Sequence, residues 1–471
     1  MAKLGTVVVS LTALVLGVSA LEAEARACGG CFTPTENPTV VTDHRMIMTI
    51  SKSESTLYDQ IRYTGDPSSF AWVLPFSGDI KVGLSADIVF SSLDQLTQTT
   101  ILPPPGCGGG FSSSGAAGAG TSGQSSGTSG STSGGVTVLK HEVVGPYDTV
   151  QLAATNPKAL EEWLATNKFN IPADVKPVVD QYVNEKFNFL ALKLVPNKGI
   201  QDMRPVRVTT QGANVALPLR MVAAGTGANV GISLWVLGDG RYEPMNYASY
   251  VIDDNDLGWD VSTQKSNYAD VRAALNAKGN NSVWEIESST FLNTAQFQSY
   301  VLYSNGYYGS ASGGYDPEAQ AQVDYLPVKD AAGNVTKTAQ QVRSDDLDLV
   351  FPANTATRVT RMRADLAHAA LARDLVLTAS RDQSLLSNTH QLFRCGLPSD
   401  PNSTVIQPGD NSSPSQQAQP TSTSGLQTAT VGGGSGCSTA KSGDGAVSTL
   451  GFSILGLAIA RVIRRRRNRD G

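Results

Sequence analysis

The chain has 471 residues, 36 of them Lys or Arg and 41 Asp or Glu, for a formal net charge of −5. That total hides a split: seven basic and two acidic residues follow Cys437 inclusive, whereas residues 28–436 hold 27 basic and 37 acidic residues, a net of −10. An acidic body excludes nucleic acid as a partner, because phosphates demand a basic surface.

In chain order, Lys3 supplies a positive n-region, Val7 to Val18 form an apolar run, and Ala25-Arg26-Ala27 offers the small-x-small pattern of a signal-peptidase site. Residues 1–27 are therefore expected to be a signal peptide, cut between Ala27 and Cys28. Arg26 fits a lipobox poorly, which argues against lipidation of Cys28. Short β-leaning runs follow at Val40-Val41, Met46 to Ile50, Tyr58 to Tyr63 and Phe70 to Pro75, parted by the turn chemistry of Ser51 to Glu54 and Gly65-Asp66-Pro67. Residues 106–135 contain 12 Gly and 9 Ser in 30 positions and no charge. Such a segment cannot bury enough apolar surface to offset its ordering entropy, so a flexible insert is expected there.

The β pattern resumes at Val136 to Val144 and Tyr147 to Leu152. Asn156 then reads as an N-cap with Pro157 at the first helical position, and Leu160, Trp163 and Leu164 share one face. Val178, Tyr182 and Val183 suggest a second helix. Phe187 to Val195, Val206 to Thr210, Val215 to Leu219 and Val230 to Leu237 read as strands. The spacing of Val359, Met362, Leu366 and Ala370 predicts an amphipathic helix, and Asp374 to Thr378 a closing strand. Helices this few exclude regular βαβ alternation, so the expected fold is α+β with mostly antiparallel sheet. Residues 28–398 form the exported region, and residues 399–436, rich in Ser, Thr, Gln, Pro and Gly, a disordered stalk.

The chain closes on a tail, residues 437–471, with an apolar transmembrane helix over 446–463 and arginines at 461, 464–467 and 469. The arginines hold the C-terminus on the cytoplasmic side, which leaves the body extracytoplasmic. The order of Gly-rich lead, Cys437, short apolar helix and Arg cluster resembles the MYXO-CTERM sorting tail of myxobacterial surface proteins. That resemblance implies cleavage by a sorting protease, lipid modification of Cys437, and an address on the outer-membrane cell surface of a Gram-negative bacterium.

A second resemblance covers most of the body. It rests on Ala27-Cys28-Gly29-Gly30, on Phe70 to Pro75, on Ile101-Leu102-Pro103-Pro104, and on Val144-Gly145-Pro146-Tyr147-Asp148 followed by Asn170-Ile171-Pro172. Phe189 to Leu194, Leu217 to Arg220 and Val359 to Arg363 complete the set. Together these are similar to the bacterial family called domain of unknown function 2330, over residues 27–380. The family is uncharacterised and implies no catalytic residues.

Chemistry is sparse. Cys28, Cys31, Cys107 and Cys395 are an even set for an exported protein and suggest two structural disulfides, with three connectivities open. Cys28 and Cys31 also form a C-x-x-C, the pattern of thiol–disulfide exchange, but no helix opens behind it. The histidines at 44, 141, 368 and 390 make no pair at metal spacing, and hydrolase, metalloprotease and nucleotide motifs are missing. Asp253, Asp254, Asn255, Asp256 and Asp260 gather hard oxygen ligands in one loop, a candidate Ca2+ site; no other cofactor is expected. Tyr303, Tyr307, Tyr308 and Tyr315 lie amid Gly and Ser, the composition of recognition loops that bind a glycan or a protein. The expected role is a surface-anchored domain for recognition or envelope structure, without catalysis. The alternative is an envelope enzyme, acting by thiol exchange through Cys28 and Cys31 or as a hydrolase lacking a local motif.

Overall fold

A computed structural model describes residues 31–32, 41–60, 71–105, 136–167, 176–223, 226–303, 316–330, 332–352, 356–393, 395–398 and 403–408. The expected signal peptide, the Gly/Ser insert and the C-terminal tail lie outside these residues. Among the described residues no helix is long and apolar enough to cross a membrane.

Alternation of apolar residues builds the main sheet. Its central strand, Thr226–Gly238, sends Val230, Ile232, Leu234 and Val236 to one face and Trp235 and Leu237 to the other, and all six are buried. Eight strands assemble in the order Ala248–Tyr250, Val283–Asn293, Ala356–Ala367, Thr226–Gly238, Val41–Ile50, Glu54–Asp59, Val206–Gln211 and Ile80–Leu84. Two pairings are parallel, Thr226–Gly238 with Val41–Ile50 and Ala248–Tyr250 with Val283–Asn293; the others are antiparallel. A five-stranded antiparallel sheet runs in the order Cys31–Phe32, Ala71–Phe76, Asn188–Leu194, Tyr147–Ala154 and Val136–Val144. The mixed α+β, mostly antiparallel class read from the sequence is thus the class observed.

Each sheet face finds its own cover. The outer face of the eight-stranded sheet packs Ile47, Tyr58, Trp235 and Val359 against Leu93, Phe297, Leu347 and Val350 of helices Asp87–Thr97, Thr294–Tyr303 and Ala339–Val350. Its inner face divides. One part, around Met48, Leu234 and Met362, is closed by Leu219, Leu371 and Leu375. The other part brings Val206 and Val208 against Trp72, Leu74, Leu190 and Leu192 of the five-stranded sheet. The far face of that sheet is covered by Leu160, Trp163, Leu164, Val179 and Tyr182.

Local signals explain several ends. Asn156 caps helix Pro157–Thr166 by accepting from the Ala159 N–H, with Pro157 in the first turn as expected. Thr338 and Gln341 form a capping box at the start of Ala339–Val350. Gly145 and Pro146 make a two-residue turn between Val144 and Tyr147, and Gly145 has φ +58°. A Cβ there would meet Leu84 Cδ1 at 2.3 Å, so a larger residue would have to displace that side chain as well as adopt the left-handed backbone that favours glycine.

Three expectations need correction. The helix predicted over Val359 to Ala370 is the strand Ala356–Ala367. Its apolar spacing of three and four overlaps a period of two: Met362, Ala364 and Leu366 face the inner core, while Val359, Arg361, Arg363 and Asp365 alternate onto the outer face. The strand expected over Val215 to Leu219 is confined to Ala216–Leu217, and Leu219–Val222 is a short helix. The stalk does not begin at residue 399. Ile406 exchanges backbone hydrogen bonds with Ser249 at 3.0 and 2.8 Å, and the Ser403 N–H donates to Asp256 Oδ2 at 2.5 Å. The sheet edge at Ala248–Tyr250 has unpaired backbone groups, and this segment covers them.

His44 is fully buried beside Ile232, with neither ring nitrogen hydrogen-bonded to protein. Burial lowers its pKa to about 3, so it stays neutral. A neutral, unbonded imidazole costs about 1–3 kcal/mol of desolvation. Because the folded pKa is depressed, its contribution is lost as pH falls from ~6.5 towards 3. His44→Leu is expected to hold or raise the melting temperature at pH 7 and to reduce acid sensitivity in that window. A fall in thermal stability at pH 7 would show that the imidazole makes a bond worth keeping.

Candidate functional site

A group of titratable side chains lies on the outer face of the eight-stranded sheet, where Glu285-Ile286-Glu287 meets Arg361-Met362-Arg363. Alternation turns Ile286 and Met362 into the inner core and the charged residues outward. Glu285 stands opposite Arg363, and the pairing shifts between Ile286 and Ser288, leaving Glu287 as an extra residue. This bulge re-aims Glu287 towards Arg361.

Glu285, Glu287 and Arg361 are all buried. Arg361 Nε donates to Glu287 Oε2, and its Nη1 pairs with Asp94 Oδ1 at 2.7 Å. Arg45 also reaches Asp94, at 3.6 Å, from the other side of the central strand. The two guanidinium carbons lie 5.3 and 5.2 Å from the Trp235 ring centroid, and Trp235 Nε1 donates to Thr97 Oγ1 at 2.8 Å. Cations at that distance are attracted by the ring quadrupole as well as by Asp94.

A second branch runs through helix Tyr268–Lys278. Tyr268 donates its hydroxyl to Glu285 Oε1 at 2.5 Å. Arg272 Nε lies 3.2 Å from Glu285 Oε2, an ion pair outside hydrogen-bond geometry, and Arg272 Nη2 donates to Asp365 Oδ2. Asn276 links Asp365 at 3.2 Å to the Tyr250 hydroxyl at 2.8 Å. His390 packs on Tyr268 with ring centroids 6.2 Å apart, and its Nδ1 is 2.5 Å from Asp254 Oδ1. Parallel pairing of Thr389–Gln391 with Thr100–Leu102 holds His390 in place.

Burial raises the Glu285 carboxyl to about 7, with the Glu287 charge adding to the rise and Tyr268, Arg272 and Arg363 opposing it. Burial and the Glu285 charge push the Tyr268 phenol up, so it remains a donor. A carboxyl balanced near neutrality is the usual raw material of general acid–base chemistry. Here, however, it is held by a tyrosine and an arginine from the same fold.

The acidic loop is dispersed over separate contacts. Asp253 accepts from the backbone and side chain of Asn255, both at 2.8 Å. Asp254 meets His390, buried Asp256 accepts from Ser403, and Asp260 accepts from the Ser262 N–H at 2.8 Å and hydroxyl at 2.6 Å. The Ser262 bonds hold half-buried Asp260 down at about 2. Among the described residues no group of three His, Cys, Asp or Glu is placed to hold a metal ion. Asp346 lies on helix Ala339–Val350, buried, and receives Ser85 and Arg207 at 2.6 Å.

Of the tyrosine group, Tyr303 ends helix Thr294–Tyr303, and Tyr307, Tyr308 and Tyr315 lie outside the described residues. Cys28, Cys107 and Cys437 also lie outside them. Cys31 pairs with Trp72 through the backbone, and Cys395 is exposed beside Gly396, which bridges to Trp259. The sequence did carry a signal for the missed network. Glu-x-Glu and Arg-x-Arg within apolar β runs place like charges on one face, and a fold buries them only against each other.

The chain matches, over residues 22–303, the model of a family described as an uncharacterized protein conserved in bacteria (DUF2330). It belongs to that family. No curated protein and no solved structure matches the chain. The matched region carries Asp94, Tyr268, Arg272, Glu285 and Glu287, while Arg361, Asp365 and His390 lie beyond it.

Glu285 gives a signed pH prediction. Its folded pKa is raised, so the folded state retains a proton that the unfolded chain releases above ~4.3. Stability from this group is present at low pH and lost as pH rises to about 7. Glu285→Gln is expected to flatten that part of the profile, with the difference from the parent protein growing from pH 4.5 to 7 by a few kcal/mol, at about 1.4 kcal/mol per pH unit. Denaturant melts across that range measure it; parallel profiles would contradict it.

Proposed function

We propose that this protein is an exported domain anchored at the cell surface, acting in recognition or envelope structure without catalysis. The observation that carries the reading is the closure of the charged network. Glu285 meets Tyr268 and Arg272, Glu287 meets Arg361, and His390 meets Asp254, so acid, base and cation are engaged with one another. Export is supported by the apolar run Val7 to Val18 with Ala25-Arg26-Ala27, and anchoring by Cys437, the apolar segment and the arginines. In this reading Cys437 is lipidated after a sorting protease acts, at the outer-membrane surface of a Gram-negative bacterium. The ligand, a glycan or a protein, meets the tyrosine segment from Tyr303 to Tyr315, next to the exposed Tyr300.

The cysteines serve structure. Thr389, His390 and Gln391 pair in parallel with Thr100, Ile101 and Leu102, and the Leu392 N–H continues the register to the Leu102 carbonyl at 3.0 Å. Cys107 and Cys395 stand five and four residues beyond the last pair in sequence. This register supports Cys107 with Cys395, which leaves Cys28 with Cys31.

Peptide mass mapping of protein from native membranes, with and without reduction, tests the reading. The expected result is a chain starting at Cys28, cross-links Cys107–Cys395 and Cys28–Cys31, and a lipid on Cys437. A Cys28–Cys31 pair of mixed occupancy would move thiol exchange to the front. An unmodified Cys437 in a chain that keeps its arginines would replace lipid anchoring by a plain membrane span.

A further inference from the structure

Two buried polar side chains meet among the apolar residues that pack between the two large sheets. Asp59 ends the strand Glu54–Asp59 of the eight-stranded sheet, and Trp72 lies in the strand Ala71–Phe76 of the five-stranded sheet. Both line one cavity of about 10 Å³, whose other walls include Met46, Leu57, Leu219 and Met221. Asp59 is 3% exposed and Trp72 1%. Asp59 Oδ1 and Trp72 Nε1 are each buried without a hydrogen bond to protein.

Two orphan polar atoms in an apolar contact each give up their hydration with nothing in return. A tryptophan N–H is only a donor, and an aspartate oxygen accepts. What satisfies both is a small molecule that accepts from one and donates to the other. A volume of about 10 Å³ on this measure is that of about one water molecule. We infer that the cavity binds a single structural water, which accepts from Trp72 Nε1–H and donates to Asp59 Oδ1. An organic ligand does not fit the volume, and a bare metal ion would face an indole N–H, which cannot ligate it.

The bridge is directional where its surroundings are not. Leu57, Leu74, Leu190 and Val208 pack across the same contact through dispersion and area alone, which tolerate sliding. A water fixed between Trp72 and Asp59 sets the register of one sheet on the other. The carboxyl is suited to the position, since burial raises it to about 7 and its neutral form is affordable in an apolar wall.

A crystal structure of the full-length protein, at a resolution that shows ordered water, tests this directly. One water within about 3 Å of both atoms is expected. A dry cavity, density for an organic molecule, or a direct Trp72–Asp59 hydrogen bond would overturn the inference. Thermal melts supply a second test. Trp72→Phe is expected to lower Tm by about 1–3 °C in the native background, and by much less once Asp59→Leu has removed the bridge. Equal shifts in both backgrounds would show that the two residues are not linked.

Discussion

A guanidinium buried beside a β-sheet needs acceptors brought in with it, whether hydroxyls, carbonyls or carboxylates. Arg361 meets that constraint with Glu287 and Asp94, which come from a neighbouring strand and from helix Asp87–Thr97. The outer face of the eight-stranded sheet is arranged around this group. Asp94 also holds Arg45, so three strands and one helix meet at a single carboxylate with Trp235 between the cations. Breaking a buried pair by removing one partner costs about 3–5 kcal/mol, although an apolar replacement of both can be neutral. The group therefore serves specificity more than net stability. Slipping Arg361 by one position would drive it into the inner core among Leu234 and Met362, so the charges fix the register that the apolar residues leave tolerant.

The same strands explain why one domain has several cores. Alternation gives each long strand two faces, and each face finds a different cover: helices outside, the Leu219 and Leu375 segments inside, and the five-stranded sheet beyond them. Towards Glu285 and Glu287 the outer face turns from apolar to ionic, and helix Tyr268–Lys278 covers it with Tyr268 and Arg272. Among the described residues, Tyr268, Arg272, Glu285, Glu287 and Arg361 assemble this face of the sheet.

Much of this was legible in the sequence, for physical reasons. Period-two runs such as Val230 to Leu237 announce strands because a pleated sheet has two faces, and Asn156-Pro157 announces a helix start because helix ends need a donor satisfied and a preset φ. The segment Val359 to Ala370 misled because its apolar residues satisfy periods of two and of 3.6 alike. Only its pairing with Thr226–Gly238 and Val283–Asn293 decides, and that is a tertiary fact. The acidic loop at Asp253 to Asp260 suggested a metal because ligand type is visible in sequence and ligand direction is not. Its partners, His390 and Ser403, lie more than a hundred residues away. Asp59 carries no signal at all: it reads as the polar end of a strand until a second sheet closes over it.

The central claim is that Glu285, Glu287 and Arg361 are buried within the fold and closed on their partners. Site-resolved carbon NMR of the Glu285 carboxyl, followed through a pH titration of the folded protein, tests it most directly. Burial beside Glu287 predicts a midpoint of about 7. A midpoint near the ordinary ~4.3 of a hydrated glutamate would show that water reaches these groups, and that they are open to a ligand instead of closed on one another.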